Sequence, residues 1–129
     1  MTDNSMRTPI GRVRGLGSAK SGLHHWWMQR VTAVALIPLT LWFVASLISL
    51  AGAGYAETVA WLGSPIVAVL MIALIIATFY HAALGLQVVI EDYVHHEGVK
   101  LALLLGVKLL ASLLAIAALF AVLKLAFGG

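Results

Sequence analysis

A chain of 129 residues, 62% hydrophobic and only 10% charged, lies far from a soluble domain, where roughly a quarter of residues carry charge. Composition puts it in the membrane class, and its length suffices for one compact bundle. The lack of cysteine excludes a disulfide framework, a thiolate metal site and a thiolate-held iron–sulfur cluster.

Residues 1–22 read as a polar, basic tail with no helical period, of a composition that is disordered in isolation. Its glycines suit an extended arm on a partner, and a solvated arm touching lipid headgroups explains them equally well. The net charge of +3 matters less than its placement, since Arg7, Arg12, Arg14, Lys20 and Arg30 all stand at or before the first apolar run. By the positive-inside rule they put the N-terminus in the cytoplasm. Membrane lipid is the expected partner of this charge, and no nucleic acid is expected. The uncharged run from Val31 to Ala56 is longer than the ~7–15 residues of a signal-peptide core. It reads as a retained transmembrane helix.

The segment His24 to Arg30 is interfacial, with Trp26 and Trp27 at headgroup level. Arg30 shares a face with Trp26. It either snorkels to phosphates or aims its cation into a site just below the membrane surface. The first helix is expected over about residues 26–53, kinked at Pro38. Residues 52–63 are expected to form a short outer connection. Ser64-Pro65 is a start signal, N-cap then first helical position, for a second helix over about residues 65–93. A third apolar helix follows over about residues 99–127, with Lys108 either snorkelling to the cytoplasmic face, the favoured reading, or pointing into the bundle, and Lys124 snorkelling outward. Three crossings leave the C-terminus outside, in the periplasm if the membrane is a bacterial inner one.

The polar residues of the second helix need a reason. His81, Gly85 and Asp92 share a helical phase, because eleven residues at ~100° each bring Asp92 within about 20° of His81. Those eleven residues rise roughly 16 Å, about half a hydrocarbon core. An imidazole at that depth has three uses: an interhelical hydrogen bond, a proton relay or a metal ligand. The small residues Ala82 and Gly85 beside it would suit a planar macrocycle, and would equally suit close helix packing. A second axial ligand is missing at this depth, since His24, His25, His95 and His96 all lie near the surface. Glu91 and Asp92 oppose the helix dipole by roughly 0.3–1 kcal/mol each, and Arg30 at the same depth offers Asp92 a partner. Tyr93 presents a phenol donor suited to a quinone carbonyl, or simply an aromatic-belt anchor. His95 and His96 are taken as solvated surface residues.

The spacing H-A-x-x-G-x-x-x-V-x-x-D-Y-V over His81–Val94 resembles the second helix of the hydrophobic membrane anchor subunit of bacterial succinate dehydrogenase, respiratory complex II. The stretch G-L-H-H-W-W-M-Q-R-V-T-A, Gly22–Ala33, is similar to that subunit's entry into its first helix. The tail R-V-R-G-L-G-S-A-K, Arg12–Lys20, is similar to the alphaproteobacterial and mitochondrial-like branch. The resemblance implies that His81 is an axial ligand of haem b, with the other ligand on a companion cytochrome b subunit. It implies that Tyr93 hydrogen-bonds ubiquinone, the substrate, with Asp92 in the same network. It places Arg30 near the haem propionates and the quinone, and His24 near a propionate. Iron–sulfur and flavoprotein subunits would dock on the cytoplasmic face.

The expectation is therefore an all-α membrane protein, three transmembrane helices in a bundle shared with a cytochrome b subunit. It would serve succinate:ubiquinone oxidoreductase without being catalytic alone. The rivals are an anchor of quinol:fumarate reductase and a small proton-coupled transporter that uses His81 and Asp92 as a relay.

Overall fold

The computed structural model describes residues 8–13 and 20–128. Much of the N-terminal tail, including Arg7, Arg14 and most of the Arg12–Lys20 motif, lies outside the described residues. Within that tail Pro9–Val13 forms a short helix, α1. The chain continues as α2 (Lys20–Ser49), α3 (Tyr55–Leu62), α4 (Pro65–Tyr93) and α5 (Glu97–Ala126). Among the described residues, α2 from Gly22, α4 and α5 are the three helices long and apolar enough to cross a membrane. The fold is all-α.

Helix α2 starts before the interfacial tryptophans, so His24–Arg30 is its first full stretch rather than an approach to it. The helix runs through Pro38 and ends at Ser49, earlier than residue 53. Two hydroxyls bond to carbonyls near that end: Ser46 to Trp42 at 2.8 Å and Ser49 to Ser46 at 2.8 Å. Gly52 follows with φ of 88°, a left-handed conformation that closes helices and costs an L residue its Cβ clearance.

The outer connection is more ordered than a loop. Its central segment folds as α3, where Glu57 accepts from the Gly54 backbone N–H at 3.2 Å and the Thr58 hydroxyl donates to the Gly54 carbonyl at 3.0 Å. Trp61 of α3 stacks on Trp42 of α2, with ring centroids 5.9 Å apart and planes at 23°. A Cβ on Gly63 would come within 3.3 Å of the Val59 carbonyl and 3.5 Å of the Leu125 carbonyl. The end of α3 therefore sits close against the end of α5.

Ser64 occupies the N-cap of α4 with Pro65 next, although its side chain makes no capping bond. At the opposite end, residues 94–96 turn the chain into α5. His96 is the N-cap there, its Nδ1 accepting from the Val99 N–H at 3.4 Å, and Glu97 pairs with Lys100 at 3.5 Å. His96 thus has a structural task beyond solvation.

The three long helices form an open layer. Helix α4 packs on α2 along one side and on α5 along the other, and no Cα atoms of α2 and α5 lie within 8 Å of each other. Little is enclosed: the buried apolar residues are Ala68, Ala77, Ile90 and Val122, and the buried polar ones Thr32 and Ser46. Lipid tails are as apolar as leucine, so such a layer is stable in a membrane with its faces outward. The arrangement nevertheless leaves α2, α4 and α5 room for neighbours.

Gly52 and Gly54 both have open space where a Cβ would stand, but only Gly52 has positive φ. Gly52→Ala is expected to destabilise the detergent-solubilised protein by about 1 kcal/mol, with Gly54→Ala near neutral. Helix loss on titration with a denaturing detergent checks the contrast.

Candidate functional site

The polar residues of the membrane region converge where α2 crosses α4. On α2 the sequence H-H-W-W-M-Q-R-V-T places His25, Gln29 and Thr32 at i, i+4 and i+7, one polar stripe on an apolar helix. That stripe faces α4. Thr32 is 7% exposed, and its hydroxyl lies 2.7 Å from the Met28 carbonyl and 3.0 Å from His81 Nδ1. The other ring nitrogen, Nε2, is 3.5 Å from the Gln29 amide nitrogen. Gly85, one turn along α4, faces the same amide: a Cβ there would stand 3.9 Å from Gln29 Nε2. At that distance a Cβ would make an ordinary van der Waals contact with the amide.

The energetics of this cluster do not favour it as a mere staple. An interhelical hydrogen bond within a membrane is worth about 0.6–2 kcal/mol. Against it, Gln29 Oε1 is buried without a partner, and an unmade buried hydrogen bond costs about 1–3 kcal/mol. Apolar side chains at Gln29 and His81 would pack the same crossing without that cost. Polar groups kept at such a position point to function.

Among the described residues, no three or more His, Asp or Glu side chains gather closely enough to hold a metal ion. The imidazole at the crossing, His81, is of a chemical type able to fill one coordination position of a metal. The environment suits that role: one ring nitrogen is tied to an oxygen, as metal-bound histidines usually are, while the other has only a long contact.

A second polar region lies at the end of the layer where α2 begins and α4 ends. A cleft of about 490 Å³ is lined by Gly22, His24, His25, Leu84, Gln87, Val88 and Glu91. Glu91 accepts from Gln87 at 2.8 Å, and His25 Nε2 is buried without a partner. His24 is thus part of a cleft that opens about one to two helical turns from His81. The remaining sequence-predicted residues point away. Arg30 lies over the Trp26 ring, its guanidinium carbon 5.3 Å from the centroid, and makes no ion pair with Asp92. Asp92 is exposed, and Tyr93 is 79% exposed at the tip of α4. The structure brings His81 against α2 and puts His24 at the cleft between α2 and α4, and leaves Arg30, Asp92 and Tyr93 on the outside of the layer.

Sequence reasoning passed over Thr32, Gln29 and the Gln87–Glu91 pair. The signal for the first two was present as the His25–Gln29–Thr32 polar stripe of α2. It was hidden because threonine is common in apolar helices, where it bonds to its own backbone.

Residues 4–123 match the model of the succinate dehydrogenase/fumarate reductase transmembrane subunit family. The chain is 36% identical over 116 residues to a succinate dehydrogenase hydrophobic membrane anchor subunit from Rickettsia bellii, covering 90% of this chain and 93% of that one. It is 32% identical over 100 residues to the subunit of the same name from Paracoccus denitrificans, covering 78% of each. A membrane anchor subunit of Reclinomonas americana is 28% identical over 95 residues, 71% of this chain and 79% of the relative.

Proposed function

The chain belongs to the succinate dehydrogenase/fumarate reductase transmembrane subunit family, and from that premise we propose that it anchors a succinate dehydrogenase in the membrane, supplies one axial ligand of a haem b and forms part of the ubiquinone-reduction site. The observation that carries the reading is His81, an imidazole within an apolar helix with one nitrogen held at 3.0 Å by Thr32 and the other in only a long contact. The relatives named as succinate dehydrogenase anchors support the assignment of the complex.

Bound there, a haem would supply a one-electron carrier in the membrane. His81 would hold the iron from this side, with Gly85 keeping the adjacent surface low. His24, lining the cleft at the α2 entrance, would meet a propionate. Arg30, kept in place by Trp26, adds a permanent cation at the same end. The open layer gives the second axial ligand a natural source in a cytochrome b subunit packed against α2 and α4. Iron–sulfur and flavoprotein subunits complete the complex.

Exposure of Tyr93 and Asp92 fits a site made between subunits. The Tyr93 phenol donates a hydrogen bond to a quinone carbonyl, raising the carbonyl's affinity for electrons. Asp92, exposed at the surface, keeps water and protons near the quinone as it is reduced. By the positive-inside rule, the basic residues before α2 support a cytoplasmic N-terminus and a periplasmic C-terminus in a bacterial inner membrane. The fumarate-reducing direction uses the same architecture, and cofactor potentials decide between them.

Purification in mild detergent is expected to bring down flavoprotein, iron–sulfur and cytochrome b partners; recovery as a self-oligomer, as for a transporter, overturns the reading. Tyr93→Phe is expected to lower quinone reduction by about 10-fold, the scale of losing one hydrogen bond of about 1.4 kcal/mol. Succinate oxidation by an artificial acceptor should be unchanged. Normal quinone reduction would make Tyr93 a belt residue. His81→Ala is expected to remove or perturb the reduced b-type absorption band, and an unchanged spectrum would reject it as ligand.

A further inference from the structure

The Thr32 hydroxyl has one proton and three close neighbours: the Met28 carbonyl at 2.7 Å, the Gln29 carbonyl at 3.2 Å and His81 Nδ1 at 3.0 Å. Two oxygens 2.7 Å apart repel unless a proton lies between them, and carbonyl oxygen cannot supply it. The hydroxyl therefore donates back to Met28, the usual arrangement of threonine in an apolar helix. Towards His81 it has only lone pairs to offer. The proton in the 3.0 Å contact then belongs to Nδ1, and a neutral imidazole so protonated carries its lone pair on Nε2. The second contact agrees, because the atom nearest Nε2 is the amide nitrogen of Gln29, a donor. At 3.5 Å, with its own Oε1 unpartnered, that amide holds the lone pair weakly.

We propose that Thr32 is a positioning residue for the metal ligand: its back-bonded hydroxyl fixes His81 as the Nδ1–H tautomer, sets the ring's orientation, and presents the Nε2 lone pair to iron. The proposal rests on the reading of His81 as a haem ligand. A metal-bound imidazole whose other N–H donates to oxygen is a more basic ligand. The Met28 carbonyl strengthens the effect, since a hydroxyl that is donating is a better acceptor. A more basic imidazole favours ferric over ferrous iron, so Thr32 holds the haem potential down. Gln29 reaches the same imidazole from α2 but touches the ligating nitrogen, so it does not share this role.

The test uses the assembled four-subunit complex in mild detergent, carrying Thr32→Val, Thr32→Ser or His81→Ala. Readouts are haem per flavin, the ferric electron paramagnetic resonance spectrum and the potentiometric midpoint of the haem. Thr32→Val keeps the branched shape and removes the hydroxyl. It is expected to assemble with full flavin and to oxidise succinate with an artificial acceptor. Its haem midpoint should rise by about 59 mV, a tenfold loss of ferric preference for a one-electron couple, and haem should bind about 10- to 100-fold more loosely. Thr32→Ser, which keeps the hydroxyl, should restore both. A valine variant with wild-type midpoint and haem content, or serine and valine variants shifted alike, overturns the role of Thr32. In either case loss of the haem band in His81→Ala leaves the ligand reading standing. An unchanged band in His81→Ala overturns both together. Should the valine variant fail to assemble, Thr32→Ala takes its place under the same outcomes.

Discussion

Hydrocarbon cannot hydrogen-bond, and the contact between His81 and Thr32 is where this chain meets that constraint most severely. Elsewhere in the spans the hydroxyls solve the problem locally, as Ser46, Ser49 and Ser112 do by bonding to carbonyls three or four residues back. The imidazole of His81 has two ring nitrogens to satisfy inside a helix whose own carbonyls and N–H groups are already paired, and both face α2. It needs an atom from another helix, and α2 supplies one at the cost of a buried hydroxyl and an unpartnered amide oxygen. The crossing of α2 and α4 is organised by that requirement: Gln29 and Thr32 lie on the stripe that meets the imidazole.

The second determinant is the openness of the layer. With α4 in the middle and α2 and α5 separated, the chain encloses almost nothing of its own. In water that would prevent folding; in a membrane the cost is small, because lipid replaces the missing contacts. It also means that a site needing ligands from several directions cannot be completed within the chain. His81 has one ring nitrogen in only a long contact, Tyr93 and Asp92 project outward, and Arg30 rests on Trp26 rather than on an acid. On the proposed reading, a neighbouring subunit completes each half-made arrangement.

Most of the helical plan was legible because hydrophobic length is a strong signal and Ser64-Pro65 marks a helix start. The segment Tyr55–Leu62 was less legible: α3 is only eight residues long, below the length at which apolar periodicity shows, and its Trp61 stacks on Trp42 across distant sequence. His81 stood out because an ionisable group in an apolar run is expensive. Thr32 did not, because its importance depends on which residue lies opposite, and no local rule specifies that. The expected Arg30–Asp92 pair illustrates the same limit. Equal depth in the membrane does not fix direction, and Arg30 turned to the nearer aromatic face. His96 was read as solvated surface because an N-cap histidine is uncommon beside serine, threonine, asparagine and aspartate.

The central claim is that the imidazole of His81 is one side of a metal site finished by another subunit. A high-resolution structure of the purified complex with its haem tests it most directly. The account predicts iron bonded to His81 Nε2, His81 Nδ1 still donating to Thr32, and the opposite axial ligand contributed by a separate chain. A haem whose two axial ligands both come from other chains, or a His81 turned away from the iron, would contradict it.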